Sequence, residues 1–244
     1  MFTKIDKKKK QIDEKRPLSK YTINNIREEL LLQWTYNSNA IEGNTLTLRE
    51  TKVVLEDGIT IGGKTLKEHL EVVNHKEAIF YIEDIINNEK ERLSEKQIKN
   101  IHYLILKSID DENAGVYRNK KIIISGASHT PPPPYQIKSK MEGLINWYRN
   151  EGSNLHTIER AAKLHTDFVN IHPFIDGNGR TARLLLNFEL MKDGYPPAII
   201  RADDRGNYYD ALDKAATTGD YENFIKMVRD ALERSLDLYL DLIS

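Results

Sequence analysis

His172-Pro173-Phe174-Ile175-Asp176-Gly177-Asn178-Gly179-Arg180-Thr181-Ala182-Arg183 joins the end of one apolar-periodic segment to the start of another. Thr157 to Asn170 reads as a helix, and Pro173 blocks its continuation, because proline has no N–H to donate and its ring clashes with the preceding turn. Gly177 and Gly179 permit backbone angles that let successive N–H groups converge on an anion. Arg180 to Lys192 is rich in helix formers, so this cradle opens a helix whose positive dipole end faces the same anion. Gly194 and Pro196 stop that helix. Arg180 and Arg183, three apart, share one helix face and can reach neighbouring phosphate oxygens with planar forks. Asp176 is placed to hold a hard divalent cation that bridges phosphate oxygens, for which Mg²⁺ needs few protein ligands. His172, at the negative end of the preceding helix, is expected to be more basic than a free imidazole, which suits deprotonating a hydroxyl.

Outward from this run the chain reads as mostly helical. Helix starts are expected at Thr47, Thr65, Ser94, Pro134, Thr157, Gly179, Asp204 and Asp220, with capping-box pairs Thr47/Glu50, Thr65/Glu68 and Ser94/Gln97. Ile26, Leu30, Trp34, Asn37 and Ile41 make a stripe at helical spacing that Gly43 terminates. The last helix, Tyr221 to Leu242, carries Phe224, Ile225, Val228, Leu232 and Leu236 on one face. Ile122, Ile123 and Ile124 give the one convincing strand signal; with Gly126 as a turn and Pro131 to Pro134 barred from a central sheet, they predict an exposed hairpin edge. Gly58 to Thr65 satisfies the phosphate-loop pattern Gly-x-x-x-x-Gly-Lys-Ser/Thr. A helix rather than a buried strand leads into it, so it reads as an interhelical loop. His69 with His75, and His165 with His172, lack the close spacing of zinc ligands, and there is no cysteine.

The twelve-residue run resembles the signature of the Fic (Fic/DOC) family, His-Pro-Phe-x-Asp/Glu-Gly-Asn-Gly-Arg-x-x-Arg, at every specified position. That resemblance implies an all-α Fic-fold helical bundle with a small β-hairpin flap. It also implies a nucleotidyltransferase that moves AMP from ATP, with Mg²⁺, to a Ser, Thr or Tyr hydroxyl of a protein target and releases pyrophosphate. Under it His172 would be the general base and Asp176 the Mg²⁺ ligand. Gly177, Asn178 and Gly179 would line the anion hole, Arg180 and Arg183 would hold the β- and γ-phosphates, and Tyr209 would lie beside the adenine. Ser38-Asn39-Ala40-Ile41-Glu42-Gly43 resembles the family's inhibitory motif, Ser/Thr-x-x-x-Glu-Gly/Asn, in its N-terminally inhibited class. A carboxylate ending a helix opposes the dipole by about 0.3 to 1 kcal/mol, so Glu42 is better placed against an external cation. The resemblance names that cation as Arg183. Ile122, Ile123 and Ile124 would belong to the family's target-docking flap, since an exposed edge can dock a partner in extended form. The resemblance also admits a homodimer and the chain itself as acceptor.

Four segments are expected: a polar tail over 1–20, a helical region with the inhibitory motif over 21–93, a core with flap and catalytic loop over 94–195, and packing helices over 196–244. With 39% hydrophobic and 30% charged residues in 244, the chain can bury one sizeable core. A net charge of -1 gives no global attraction to nucleic acid or membrane. The basic run Lys7 to Lys10 reads as a solvated tail. No stretch resembles a signal peptide or bilayer span, so a cytoplasmic location is expected. Competing function classes are another transfer of the same type, removal of AMP with Glu42 positioning water, a phosphate-loop ATP site, and a non-catalytic ATP-binding module.

Overall fold

The computed structural model describes residues 1–88, 93–124 and 126–243. Its helices are α1 (Thr3–Glu14), α2 (Lys20–Ile41), α3 (Leu48–Asp57), α4 (Leu66–Asn87), α5 (Glu95–Leu106), α6 (Pro134–Arg149), α7 (Thr157–Ile171), α8 (Asn178–Lys192), α9 (Arg205–Thr218) and α10 (Glu222–Ile243). Short 3-10 turns occupy Glu151–Asn154 and Ala202–Asp204. Among the described residues there is no strand, and the fold is all-α.

The antiparallel pair α7–α8 is the central beam. Leu164 and Phe168 of α7, with Ala182, Leu184, Leu185 and Phe188 of α8, pack into a cluster with α4, α5 and α6. Ile158, Ala161 and Ala162 of α7, with Leu186 and Leu190 of α8, pack into a second cluster with α1, α9 and α10. A helix covered on both sides must be apolar nearly all round, which explains the run of buried positions from Arg180 to Leu190. That same burial carries Arg180 and Arg183 into the interior.

Helix starts follow local chemistry. Thr47/Glu50 and Thr65/Glu68 form reciprocal capping boxes. Ser94 caps α5 only by position: its hydroxyl turns to the Gln97 side chain, so that capping box does not form. Gly58 to Thr65 joins α3 to α4, and Lys64 Nζ donates to the Thr45 carbonyl at 2.6 Å, which ties it to structure.

Two expectations are corrected. The polar tail contains α1, whose Phe2, Ile5 and Ile12 are buried against the second cluster. Lys8 meets Glu233 at 2.6 Å and Asp237 at 2.5 Å on α10, while Lys9 and Lys10 pair with Asp13 and Glu14 one turn on, so the basic run lies on a docked helix, with one lysine of the four paired to α10. The hairpin at Ile122 to Ile124 does not form as paired strands; Ser125 lies outside the described residues. β-branched residues favour a strand only where a ladder partner exists, and the return arm runs into prolines that cannot donate. Ile123 is 90% exposed, and the arm turns through a 3.2 Å bond from Ala127 N–H to the Ile124 carbonyl. No helix among the described residues is long and apolar enough to cross a membrane.

Candidate active site

Where α7 ends, the chain leaves the helix through His172 at φ 48° and ψ 60°. A residue before proline is disfavoured in the right-handed helical region, and histidine is among the non-glycine residues that tolerate the left-handed one. The turn swings the imidazole into a cavity of about 280 Å³ that it shares with Glu42, Gly179, Tyr208 and Tyr209. Burial pulls the His172 pKa down to about 4; the Arg118 cation adds to this, and the Val169 carbonyl and Glu42 only partly offset it. The expectation of a more basic imidazole is therefore corrected: desolvation outweighs the helix end. At neutral pH the ring is uncharged and free to accept a proton.

The loop after it is braced from inside. Phe174 is fully buried and stacks on His102 with centroids 3.6 Å apart. Asn178 closes a pair of bonds with Phe174, accepting from its N–H at 3.0 Å and donating to its carbonyl at 2.9 Å. Its side chain is thus spent on the loop, and only its backbone is left for an anion. Gly115 N–H donates to His102 Nδ1 at 2.9 Å, so Nε2 carries the proton and donates to the Asp176 carbonyl at 2.8 Å. Burial holds that imidazole neutral, with a pKa near 4. Gly177 sits at φ 75°, where a side chain would be strained and would press on His102 at 3.1 Å.

Arg183 is 3% exposed. Its guanidinium donates to Ser38 Oγ at 3.0 Å, the Ser38 carbonyl at 2.8 Å, Tyr208 Oη at 3.2 Å and Glu42 Oε1 at 2.7 Å. Glu42 follows the last turn of α2, and Gly43 at φ 98° stops that helix. The Glu42 carboxylate also lies against Gly179, so closely that a Cβ on that glycine would overlap Oε1. The acid therefore fills the mouth of the cradle that the glycines and the start of α8 create. Arg180, also nearly buried, faces Glu71 of α4 at 3.2 Å and Asp176 at 3.6 Å. Tyr209 is half-exposed at the cavity rim, with the Arg205 guanidinium 5.3 Å from its ring centroid. The Asp176 side chain is about half exposed and accepts from Gly177 N–H at 2.6 Å.

The fold thus brings Glu42, His172, Gly179 and Tyr209 around one cavity, with Arg183 and Ser38 buried behind Glu42 and Arg180 paired with Glu71 and Asp176. Ile124 reaches the cavity wall; Ile123 points to solvent. Sequence reasoning missed Glu71, His102 and Arg118. None carries a local signal, because each acts through a partner at least 50 residues away.

The Fic/DOC family model matches residues 92–190. A protein from Nematostella vectensis named protein adenylyltransferase Fic is 39% identical over 241 residues, covering 98% of this chain and 56% of that one. The chain spans about half the length of the curated relatives it matches. Among solved structures, Fic-1 (residues 134–508) from C. elegans superposes with a TM-score of 0.87 at 32% identity, covering 98% of this chain and 70% of that one. A Fic-domain-containing signalling protein from Bacteroides thetaiotaomicron gives the same TM-score and identity, with 97% of both chains covered.

Proposed function

Since the chain belongs to the Fic/DOC family, we propose that it is an autoinhibited protein adenylyltransferase that moves AMP from ATP to a hydroxyl of a protein target. The observation that carries this reading is the Glu42 carboxylate, 2.7 Å from Arg183 and seated on Gly179, where an anionic phosphate oxygen would otherwise be held. An anion site filled by the chain's own anion fits a site that must be vacated before a triphosphate can lie in it.

In this reading the triphosphate lies along the start of α8, its outer phosphates on Arg180 and Arg183 and its inner ones on the amides of the glycine loop. Neutral His172 takes the proton from the target hydroxyl as that oxygen bonds to the α-phosphorus. The bond from the α-phosphorus to its bridging oxygen breaks in line, and pyrophosphate leaves. Positioning and fixed positive charge supply most of the acceleration. The adenine rests against Tyr209, and the extended arm around Ile122, Ile123 and Ile124 docks the target.

A Mg²⁺ ion fits this donor set: Asp176 offers one half-exposed carboxylate beside the cradle, and Mg²⁺ is held by one or two carboxylates together with substrate phosphates. No dedicated cage of three or more acidic, histidine or cysteine side chains exists among the described residues. When bound, the ion would neutralise phosphate charge. A protein acceptor, the chain itself among the candidates, follows from the same reading. A cytoplasmic setting and a homodimer are further proposals.

Glu42→Gly should raise AMP transfer at least about tenfold, as removal of an inhibitory contact worth about 1.4 kcal/mol or more requires. Glu42→Gly combined with His172→Ala should be silent. Intact-mass analysis after incubation with ATP and magnesium reports the transferred group and the acceptor together. Equal transfer by wild type and Glu42→Gly would remove the inhibitory reading, and a mass increment other than AMP would replace the adenylyl one.

A further inference from the structure

Arg118 is 3% exposed and lies between the catalytic loop and the two stems of the exposed arm. Its Nε donates to the His172 carbonyl at 2.8 Å; its two terminal nitrogens donate to the Lys120 carbonyl at 2.9 Å and the Pro132 carbonyl at 2.7 Å. Its backbone N–H donates to the Pro173 carbonyl at 2.9 Å. No carboxylate pairs with it among the described residues, and burial lowers its pKa without an offsetting anion. A desolvated cation is costly, and this one is compensated only by backbone oxygens aligned with its planar fork. Lysine, with one nitrogen, cannot reproduce three divergent contacts.

We propose that Arg118 is the positioning residue that holds the His172 turn and the target-docking arm in one frame, so that a hydroxyl docked on the arm meets the base at a fixed distance. The proposal rests on His172 acting as the base. Three observations carry it. The guanidinium bonds to residues at both stems, Lys120 and Pro132, so one side chain closes the arm at its root. It grips the carbonyl of the left-handed His172 itself and so helps fix the backbone turn that carries the imidazole. The anion cradle, by contrast, has its own anchors in Asn178 with Phe174 and His102 with Asp176. Losing Arg118 should therefore disturb base and arm together and leave nucleotide binding intact, a split that general destabilisation would not give.

The test uses the full chain carrying Glu42→Gly, with Arg118→Gln and Arg118→Lys added separately. The readouts are Mg·ATP affinity by calorimetry, amide hydrogen exchange, NMR titration of the His172 ring, and AMP transfer to whichever acceptor the Glu42→Gly protein modifies. For Arg118→Gln, ATP affinity should stay within about twofold while transfer falls about 100-fold, the scale expected when reacting groups are misplaced by about 1 Å. Exchange should rise together over 119–132 and around His172, with residues 176–180 unchanged. The ring should titrate higher in Arg118→Gln than in the Glu42→Gly parent, because the cation that lowers it is gone and, with Glu42 absent from both chains, His129 is the titratable neighbour that remains. Arg118→Lys should fall between, losing about tenfold. If Arg118→Gln does not fold, Arg118→Lys decides by ATP affinity, exchange and transfer, since its retained cation removes the titration criterion. Faster exchange confined to 119–132 with His172 unmoved would overturn the proposal, as would a loss of ATP affinity equal to the loss of transfer. Should Glu42→Gly transfer no AMP at all, the adenylyl reading falls, while exchange and titration still judge Arg118.

Discussion

In the proposed transfer, an imidazole that burial pulls down to about 4 would stay uncharged and able to accept a proton across the whole neutral range. In Glu42→Gly, kcat/KM for ATP should therefore stay level from about pH 8 down to about pH 6 and decline only as the ring protonates at lower pH. A solvated histidine would begin that decline near pH 6.5. A rate profile half-maximal at 6.5 would mean that solvent reaches His172. Gly179 supports a second expectation at this scale. A methyl there must displace the Glu42 carboxylate, yet it would occupy the same space that a phosphate oxygen needs, 3.2 Å from Arg183. Gly179→Ala should therefore loosen the Glu42 contact without the gain in transfer that Glu42→Gly gives; a matching gain would show that the cradle does not hold the nucleotide. The residues around the candidate site were legible in the sequence where they lie in a contiguous run, as from His172 to Arg183, and where helical spacing puts Ser38 and Glu42 on one face. Glu71 and Arg118 were not legible, because a buried charge finds its partner through tertiary packing, and neither residue's neighbours in sequence record it.

At the scale of elements, caps and stops wrote most helix boundaries into the chain: threonine with glutamate three later starts α3 and α4, and Gly58, Gly194 and Gly219 take left-handed angles after α3, α8 and α9. α1 was hidden, because its apolar residues are few among lysines and its second face is satisfied by ion pairs on α10. The exposed arm misled in the opposite direction, since isoleucines promise a strand only when a partner strand is present. α1 tests which interaction holds an element down. Ile5 is 1% exposed in the second cluster, so Ile5→Ala should cost about 2–4 kcal/mol in urea unfolding. Lys8 pairs with Glu233 and half-exposed Asp237, where water screens the charges, and Lys8→Ala should cost about 1 kcal/mol or less. The reverse order would mean that α1 docks by charge.

Across the whole molecule, the burial that surrounds the proposed anion site also sets an acid limit. His75 on α4, His102 on α5, His165 on α7 and His172 at its end surround α8, and all four titrate below the ordinary histidine range. Burial is the main cause for each, and the α8 arginines add to it: Arg183 at His75 and His165, Arg180 at His75 and His102. Unfolding releases these rings to water, where they bind protons below about pH 6.5. The unfolded chain then holds more protons than the folded one, so stability is complete above that pH and is lost as pH falls toward the depressed values, at about 1.4 kcal/mol per pH unit for each ring. Asp167 and Glu189, raised by burial, act in the opposite sense but are two against four. The urea midpoint should therefore be clearly lower at pH 5 than at pH 7. Mg·ATP bound only to the folded Glu42→Gly chain should raise that midpoint at pH 7 by mass action. An unchanged midpoint between the two pH values would mean that the histidines reach water in the folded state, and that Arg180 and Arg183 do not share a dry interior with them.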